Sequence, residues 1–79
     1  MMRYPSLTFR QWQALVRHFA KEARGLGGPV VVGVNRLGRP FTAHFHPARR
    51  LKPGQVARLV KRLGLTPEEF REWYAGRRR

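Results

Sequence analysis

Two β-rich runs on either side of a turn cluster restrict what this 79-residue chain can fold into. The runs are Val30–Val34 and Arg39–His46, and the residues between them are Asn35–Gly38. β-Branched and aromatic residues flanking a Gly-bearing turn are typical of a β-hairpin. A hairpin alone is marginally stable in water and needs further elements packed on one face. The centre of the chain therefore predicts a small sheet that depends on the segments before and after it.

Alternation of side chains along the two runs predicts which face of the hairpin is buried. The inner face is expected to carry the apolar residues Val30, Val32, Val34, Phe41, Ala43 and Phe45. The outer face is then expected to carry Thr42, His44 and His46. One face would pack on helices, and the other would remain available to a ligand.

An amphipathic helix is predicted before the hairpin. Thr8 followed by Gln11 fits a capping box, and apolar residues then recur at helical spacing from Trp12 to Ala23. Gly25 followed by an apolar residue is a typical helix stop. The opposite stripe of this helix is expected to be its polar outer face, formed by Arg10, Gln13, Arg17, Lys21 and Arg24.

Two further helices are predicted after the hairpin. The first begins at Pro53, buries a stripe from Val56 to Leu63 and ends at Gly64. The second has Thr66 as its N-cap and is closed by Gly76. We predict one small α+β domain over residues 1–79 with a basic tail at 77–79. Its order is a helix, a β-hairpin or three-stranded antiparallel sheet, and two helices.

The charge of the chain indicates what kind of partner it has. It contains 17 Lys and Arg against 4 acidic residues, a formal net charge of +13. The positive charges of so small a protein repel one another, and a bound polyanion relieves this repulsion by neutralising them. Nucleic acid is therefore the expected partner. The predicted contact residues are Arg10, Arg17, Lys21, Arg24, His44, His46, Arg49, Arg50, Lys52, Arg58, Lys61 and Arg62. Charge removal at Arg17 and Lys21 is expected to weaken binding as much as at Arg58 and Lys61.

Several classes of function are disfavoured by composition. No apolar run approaches the ~20 residues of a membrane span, and no signal peptide is evident, so a cytoplasmic protein is expected. The chain has no cysteine, and it has no aspartate. His44 and His46 share a strand face with only His18 as a further imidazole, which is too few ligands for a typical metal site. We expect no metal and no cofactor.

Four short segments in the second half of the chain form a recognisable series: Gly38–Arg39, Phe45–His46, Leu51–Gly54 and Leu63–Phe70. In their order and spacing they resemble the HicA toxin family of small mRNA interferases, which have a double-stranded-RNA-binding-like α-β-β-β-α fold. The resemblance covers about half of the chain, from Arg39 to Trp73. It implies RNA as the ligand and an acidic antitoxin as a protein partner.

The chain departs from that family where the catalytic histidine is expected. An ungapped alignment back from Gly38 places Val30 at that position. Only His46 matches a histidine of the family, at the end of the last strand, and it is the single catalytic candidate carried over from the resemblance. We therefore expect a binding protein that does not cleave RNA, and an active toxin-type ribonuclease is the alternative.

A helix-turn-helix over Val56–Ala75 is the second alternative, and it would make the protein a DNA-binding regulator. Against it, Glu68, Glu69 and Glu72 lie on the would-be recognition helix, where they would repel phosphates. Carboxylates near a helix N-terminus more simply stabilise the helix dipole. The order of expectation is structured RNA, then duplex DNA, with the protein acting alone or as a subunit of a larger ribonucleoprotein.

Overall fold

The computed structural model describes residues 4–45 and 49–77 and has the predicted α+β layout. Its elements in chain order are α1 (Phe9–Phe19), β1 (Glu22–Arg24), β2 (Val30–Val34), β3 (Pro40–His44), α2 (Pro53–Arg62) and α3 (Pro67–Arg77). Of the two sheet forms left open by the sequence, the structure has the three-stranded one. The sheet is antiparallel in the order β1-β2-β3, so β2 is central and β3 is an edge strand.

The register of β2 on β3 corrects the predicted inner face of β2. Val31 lies opposite Ala43 and Val32 lies opposite Thr42. Directly opposed residues point to the same face of a sheet, so Val31 is buried with Ala43 while Val32 shares the outer face with Thr42. Val30 and Val32 are accordingly 44% and 42% exposed. The predicted faces of β3 are confirmed for the described residues.

The helices cover only the inner face of the sheet. The hydrophobic core lies between the helices and this face, and its buried side chains come from all three helices and from the two longer strands. They include Trp12, Leu15 and Val16 of α1, Val31, Phe41 and Ala43 of the sheet, Val56, Leu59 and Val60 of α2, and Phe70 of α3. The opposite face, with Val30 and Val32, carries no helix among the described residues.

Helix α1 starts as predicted and ends earlier than predicted. The backbone N–H of Gln11 donates to Thr8 Oγ1 at 3.1 Å and the N–H of Thr8 donates to Gln11 Oε1 at 2.8 Å, which confirms the capping box. The helix ends at Phe19, because the following backbone pairs with the sheet: Lys21 N–H donates to the Val34 carbonyl. Gly25, with φ +85°, lies between β1 and β2 instead of ending a helix.

Three residues assigned to the outer stripe of the first helix are not part of it. Lys21 follows the end of α1, Arg24 belongs to β1, and Gln13 is buried although it lies on α1. The Gln13 side chain donates to the Gly28 carbonyl at 3.2 Å and accepts from the Gly27 N–H at 2.7 Å. Gln13 therefore forms hydrogen bonds with backbone groups of the β1–β2 turn and is not part of a ligand-facing stripe.

Helix α3 begins with a second capping box. The Thr66 N–H donates to Glu69 Oε1 at 2.9 Å, and the Glu69 N–H donates to Thr66 Oγ1 at 3.2 Å. Gly76 does not close this helix as predicted, since it lacks a positive φ and the helix continues to Arg77. The Arg77 guanidinium lies 5.1 Å from the centre of the Trp73 ring, a cation–π contact at the helix end.

Replacement Glu69→Gln is expected to lower the stability of the fold near neutral pH but not in acid. The hydrogen bond from the Thr66 backbone N–H, followed by the one from the Arg36 side chain, holds the pKa of Glu69 below its usual value. A lowered pKa means that this stabilisation is present above the unfolded-state pKa and is lost as the pH falls through the folded-state pKa. Thermal melts of both proteins should differ near pH 7 and converge in acid. A difference that persists unchanged at the lowest pH would contradict this.

Candidate nucleic-acid interface

The β2–β3 turn is attached to the end of α2 by the buried side chain of Asn35. Its amide donates to the Arg62 carbonyl at 2.8 Å. Its oxygen accepts from the backbone N–H groups of Leu37 at 2.9 Å and Arg39 at 3.0 Å. A single side chain thus fixes the turn and holds the backbones of Arg39 and Arg62, from distant parts of the chain, near each other.

The free edge of β3 faces α2. The Phe45 N–H donates to the Pro29 carbonyl, and the Asn35 N–H donates to the Arg39 carbonyl. Hydrogen-bonded pairs alternate along an antiparallel ladder, so the backbone groups of Thr42 and His44 point away from β2. Arg62 Nη1 donates to the Thr42 carbonyl at 2.7 Å, which brings this end of α2 against the edge.

A cleft of about 810 Å³ lies between β3 and α2. Four cationic side chains line this β3–α2 cleft together with one histidine: Arg39, Arg58, Lys61, Arg62 and His44. Thr42 and Gln55 add polar groups, and no acidic side chain is among the described residues of the lining. Charges of one sign around a concavity focus the electrostatic potential inside it and attract ligands of the opposite charge. The cleft is therefore suited to an anion.

The structure brings together only part of the predicted contact set. His44, Arg58, Lys61 and Arg62 line the cleft, and His46 lies outside the described residues. The other predicted contacts do not line it: Arg10, Arg17, Lys21, Arg24, Arg49, Arg50 and Lys52. All of these are exposed, and Arg24 is on β1. The cleft therefore gathers three of the predicted cations, and the seven others lie outside its lining.

Arg39 and Gln55 are among the lining residues that were missing from the predicted set. Arg39 follows the turn glycine and was assigned only to the start of a strand, and Gln55 is an uncharged residue in the first turn of α2. A signal for Arg39 was present, because a cation directly after a hairpin turn lies at the strand end. Gln55 gave no comparable signal.

The α2–α3 pair bears on the helix-turn-helix alternative. Residues 63–66 separate the two helices. On α3, Phe70 is buried and stacks on Tyr74 with ring centres 5.7 Å apart, while Glu68 and Glu72 are exposed. Glu69 is engaged by Thr66 and Arg36. The exposed part of α3 thus presents two carboxylates together with Arg71 and Arg77. It therefore offers no net positive charge, which disfavours its use as a reading helix among phosphates.

Neither a metal cluster nor a membrane span is found in the described part of the chain. No three His or Glu side chains within 4–45 and 49–77 come together in a way that could hold a metal ion. None of the helices in these two ranges is sufficiently long and apolar to cross a membrane. The β3–α2 cleft is the site on which a functional interpretation can be based.

Comparisons with protein-family models, curated proteins and solved structures find no match to this chain. The resemblance to HicA toxins therefore remains a hypothesis drawn from sequence motifs. The cleft, its charge and the open face of the sheet are the features of the molecule that bear on its function.

Proposed function

We propose that this protein binds nucleic acid in the cytoplasm, structured RNA ahead of duplex DNA, and that it does not cleave its ligand. The observation that carries the proposal is the β3–α2 cleft, where four cations meet without an acidic residue among the described lining. With a formal charge of +13 on 79 residues, the whole molecule attracts polyanions toward this cleft.

Binding would be driven by phosphate contacts and counterion release. Arg39, Arg58 and Arg62 supply planar guanidinium groups that suit the oxygens of a phosphate, and Lys61 adds a compact charge. The outward backbone N–H groups of Thr42 and His44 are further donors at the edge of β3. Each neutralised phosphate releases condensed counterions, and this term dominates affinity.

RNA is favoured over DNA as the ligand because these contacts recognise the shape and the phosphate backbone of a nucleic acid and not its base sequence. Double-stranded RNA is recognised mostly through phosphates and 2′-hydroxyls across its wide minor groove. Sequence-specific DNA reading requires an element that enters the major groove. The exposed residues of α3 include as many carboxylates as guanidinium groups, so the helix has no net positive charge for that role and a DNA-binding regulator is the lesser alternative.

A non-catalytic role is favoured by the surroundings of His44. Acid–base cleavage of RNA needs a positioned base and a positioned acid. The residue directly opposite His44 on β2 is Val30, which cannot transfer a proton. His44 is then a phosphate contact, and the alternative toxin-type ribonuclease would depend on His46, the candidate outside the described residues.

A salt titration of RNA binding tests the proposal. If ~5–8 phosphates are neutralised, the logarithm of the binding constant should fall against the logarithm of salt concentration with a slope of roughly −4 to −7. Fluorescence anisotropy with an end-labelled RNA stem-loop measures this, and a DNA duplex of the same stem sequence ranks the two ligands. An affinity unchanged between about 50 and 200 mM salt would refute polyanion binding. Cleaved RNA on a gel of the same samples would refute the non-catalytic assignment.

A further inference from the structure

A second depression lies beside α2, and the proposed function uses only Arg58 and Lys61 of its lining. It has a volume of about 320 Å³. Its lining includes the apolar residues Val60, Leu65 and Pro67, the ring of Tyr4, and the cations Arg58 and Lys61. We call it the Tyr4 hollow.

Arg58 and Lys61 line both the Tyr4 hollow and the β3–α2 cleft. They are three residues apart on α2 and therefore neighbours on one helix face. They form a cationic ridge with a depression on each side. A phosphate held on this ridge would have the nucleotide that carries it within reach of either depression.

The hollow itself is suited to a small flat apolar group. Its volume of about 320 Å³ is at the lower end of the roughly 300–1,000 Å³ that is usual for small-ligand sites. Apart from Arg58 and Lys61, its described lining has only the Tyr4 hydroxyl as a polar side-chain group. It is too small for a helix or a strand of a partner and carries no carboxylate for a cationic one.

We propose that the Tyr4 hollow receives an unpaired nucleobase of the RNA whose phosphates lie on Arg58 and Lys61. This inference rests on the proposed function and makes it more specific. The preferred ligand is structured RNA with a bulged, looped or overhanging nucleotide, because a base within a continuous duplex is stacked and cannot leave it cheaply.

Tyr4 provides the aromatic surface for such a base. It is half-buried, and its ring lies edge-on to Phe70 with 5.3 Å between ring centres and an interplanar angle of 64°. Packing on the core thus restrains the ring while part of it lines the hollow. A restrained aromatic ring next to a cationic ridge is the arrangement by which proteins bind single-stranded nucleotides.

The test compares two RNA hairpins that differ by one bulged 2-aminopurine in the stem. The bulged RNA is expected to bind roughly 10-fold more tightly than the uninterrupted one, because it gains one base-stacking contact. The fluorescence of its 2-aminopurine should also change on binding. Replacement Ala57→Leu places a larger side chain in the lining of the hollow without removing a core residue. It should bring the bulged RNA down to the affinity of the uninterrupted one and abolish the fluorescence change.

Ala75→Leu is the matched control, because Ala75 is exposed on α3 and outside the lining of the hollow. It should preserve the difference between the two RNAs. Equal, salt-dependent binding of both RNAs by the unaltered protein would overturn the base site while leaving the proposed function intact. Retention of the bulge preference by Ala57→Leu would also overturn it. Absence of salt-dependent binding to either RNA would refute the proposed function itself.

Discussion

Replacing Arg58, Lys61 and Arg62 together by glutamine is expected to weaken RNA binding by about 1,000-fold. These are three of the four cations of the β3–α2 cleft, and each lost charged hydrogen bond to phosphate is taken as about tenfold in affinity. The salt slope should flatten by about one unit for each lost contact. Anisotropy titrations at several salt concentrations measure both quantities on the same samples.

The matched control removes the same charge outside the cleft, at Arg10, Arg17 and Lys21. Arg10 and Arg17 are exposed on α1, and Lys21 is exposed just after it. The sequence alone predicted that such residues contribute as much as those of α2. Since they do not line the cleft, we now expect this triple variant to lose less than about tenfold. Equal losses in both variants would mean that binding depends on overall charge and not on the cleft.

Replacing Gly33 by alanine is expected to lower the free energy of unfolding by about 1–3 kcal/mol, as overpacking in a core does. Gly33 lies opposite Ala23 of β1 and Phe41 of β3 in the centre of the sheet. A methyl group there would overlap the backbone carbonyl of Glu22, which cannot rotate away as a side chain would. We expect β1 to separate from β2, with faster amide hydrogen exchange in β1 than in β3.

Gly54→Ala is the opposite case and the control for Gly33→Ala. Gly54 lies on α2, and a methyl group there would have nothing within 4 Å. Alanine favours the helix and restricts the unfolded chain, so we expect stabilisation by about 0.4–1 kcal/mol. Chemical denaturation of both variants gives the comparison. A Gly33→Ala protein as stable as the parent would show that the close approach of β1 is not tight.

Local signals in the sequence determined the order of elements and most helix starts. The Thr8–Gln11 box and the Thr66–Pro67 start depend on hydrogen bonds within a few residues, and both are present in the structure. Helical spacing likewise predicted the buried stripe of α2. The α+β class follows from these local patterns, because each element depends on its own neighbours for its start and its apolar side.

The outcomes that sequence alone could not reach depend on long-range pairing. Every position of β2 except Gly33 is valine, so alternation could not show which face is inward until β3 set the register. The helical spacing of apolar residues continues past Phe19 in the sequence, but the backbone of Glu22–Arg24 pairs with β2 and forms a strand instead.

The candidate site was likewise predictable only in part. Composition predicted an anion-binding protein, and the predicted contact set contained four residues that line the cleft, His44, Arg58, Lys61 and Arg62, among a longer set of basic residues and histidines. Which of the basic residues share a cleft was decided by tertiary structure. Asn35 joins the β2–β3 turn to the end of α2, and this contact brings Arg39 to the same cleft as the α2 cations. Charge is a property of composition, whereas its concentration in one place requires contacts between residues that are distant in the chain.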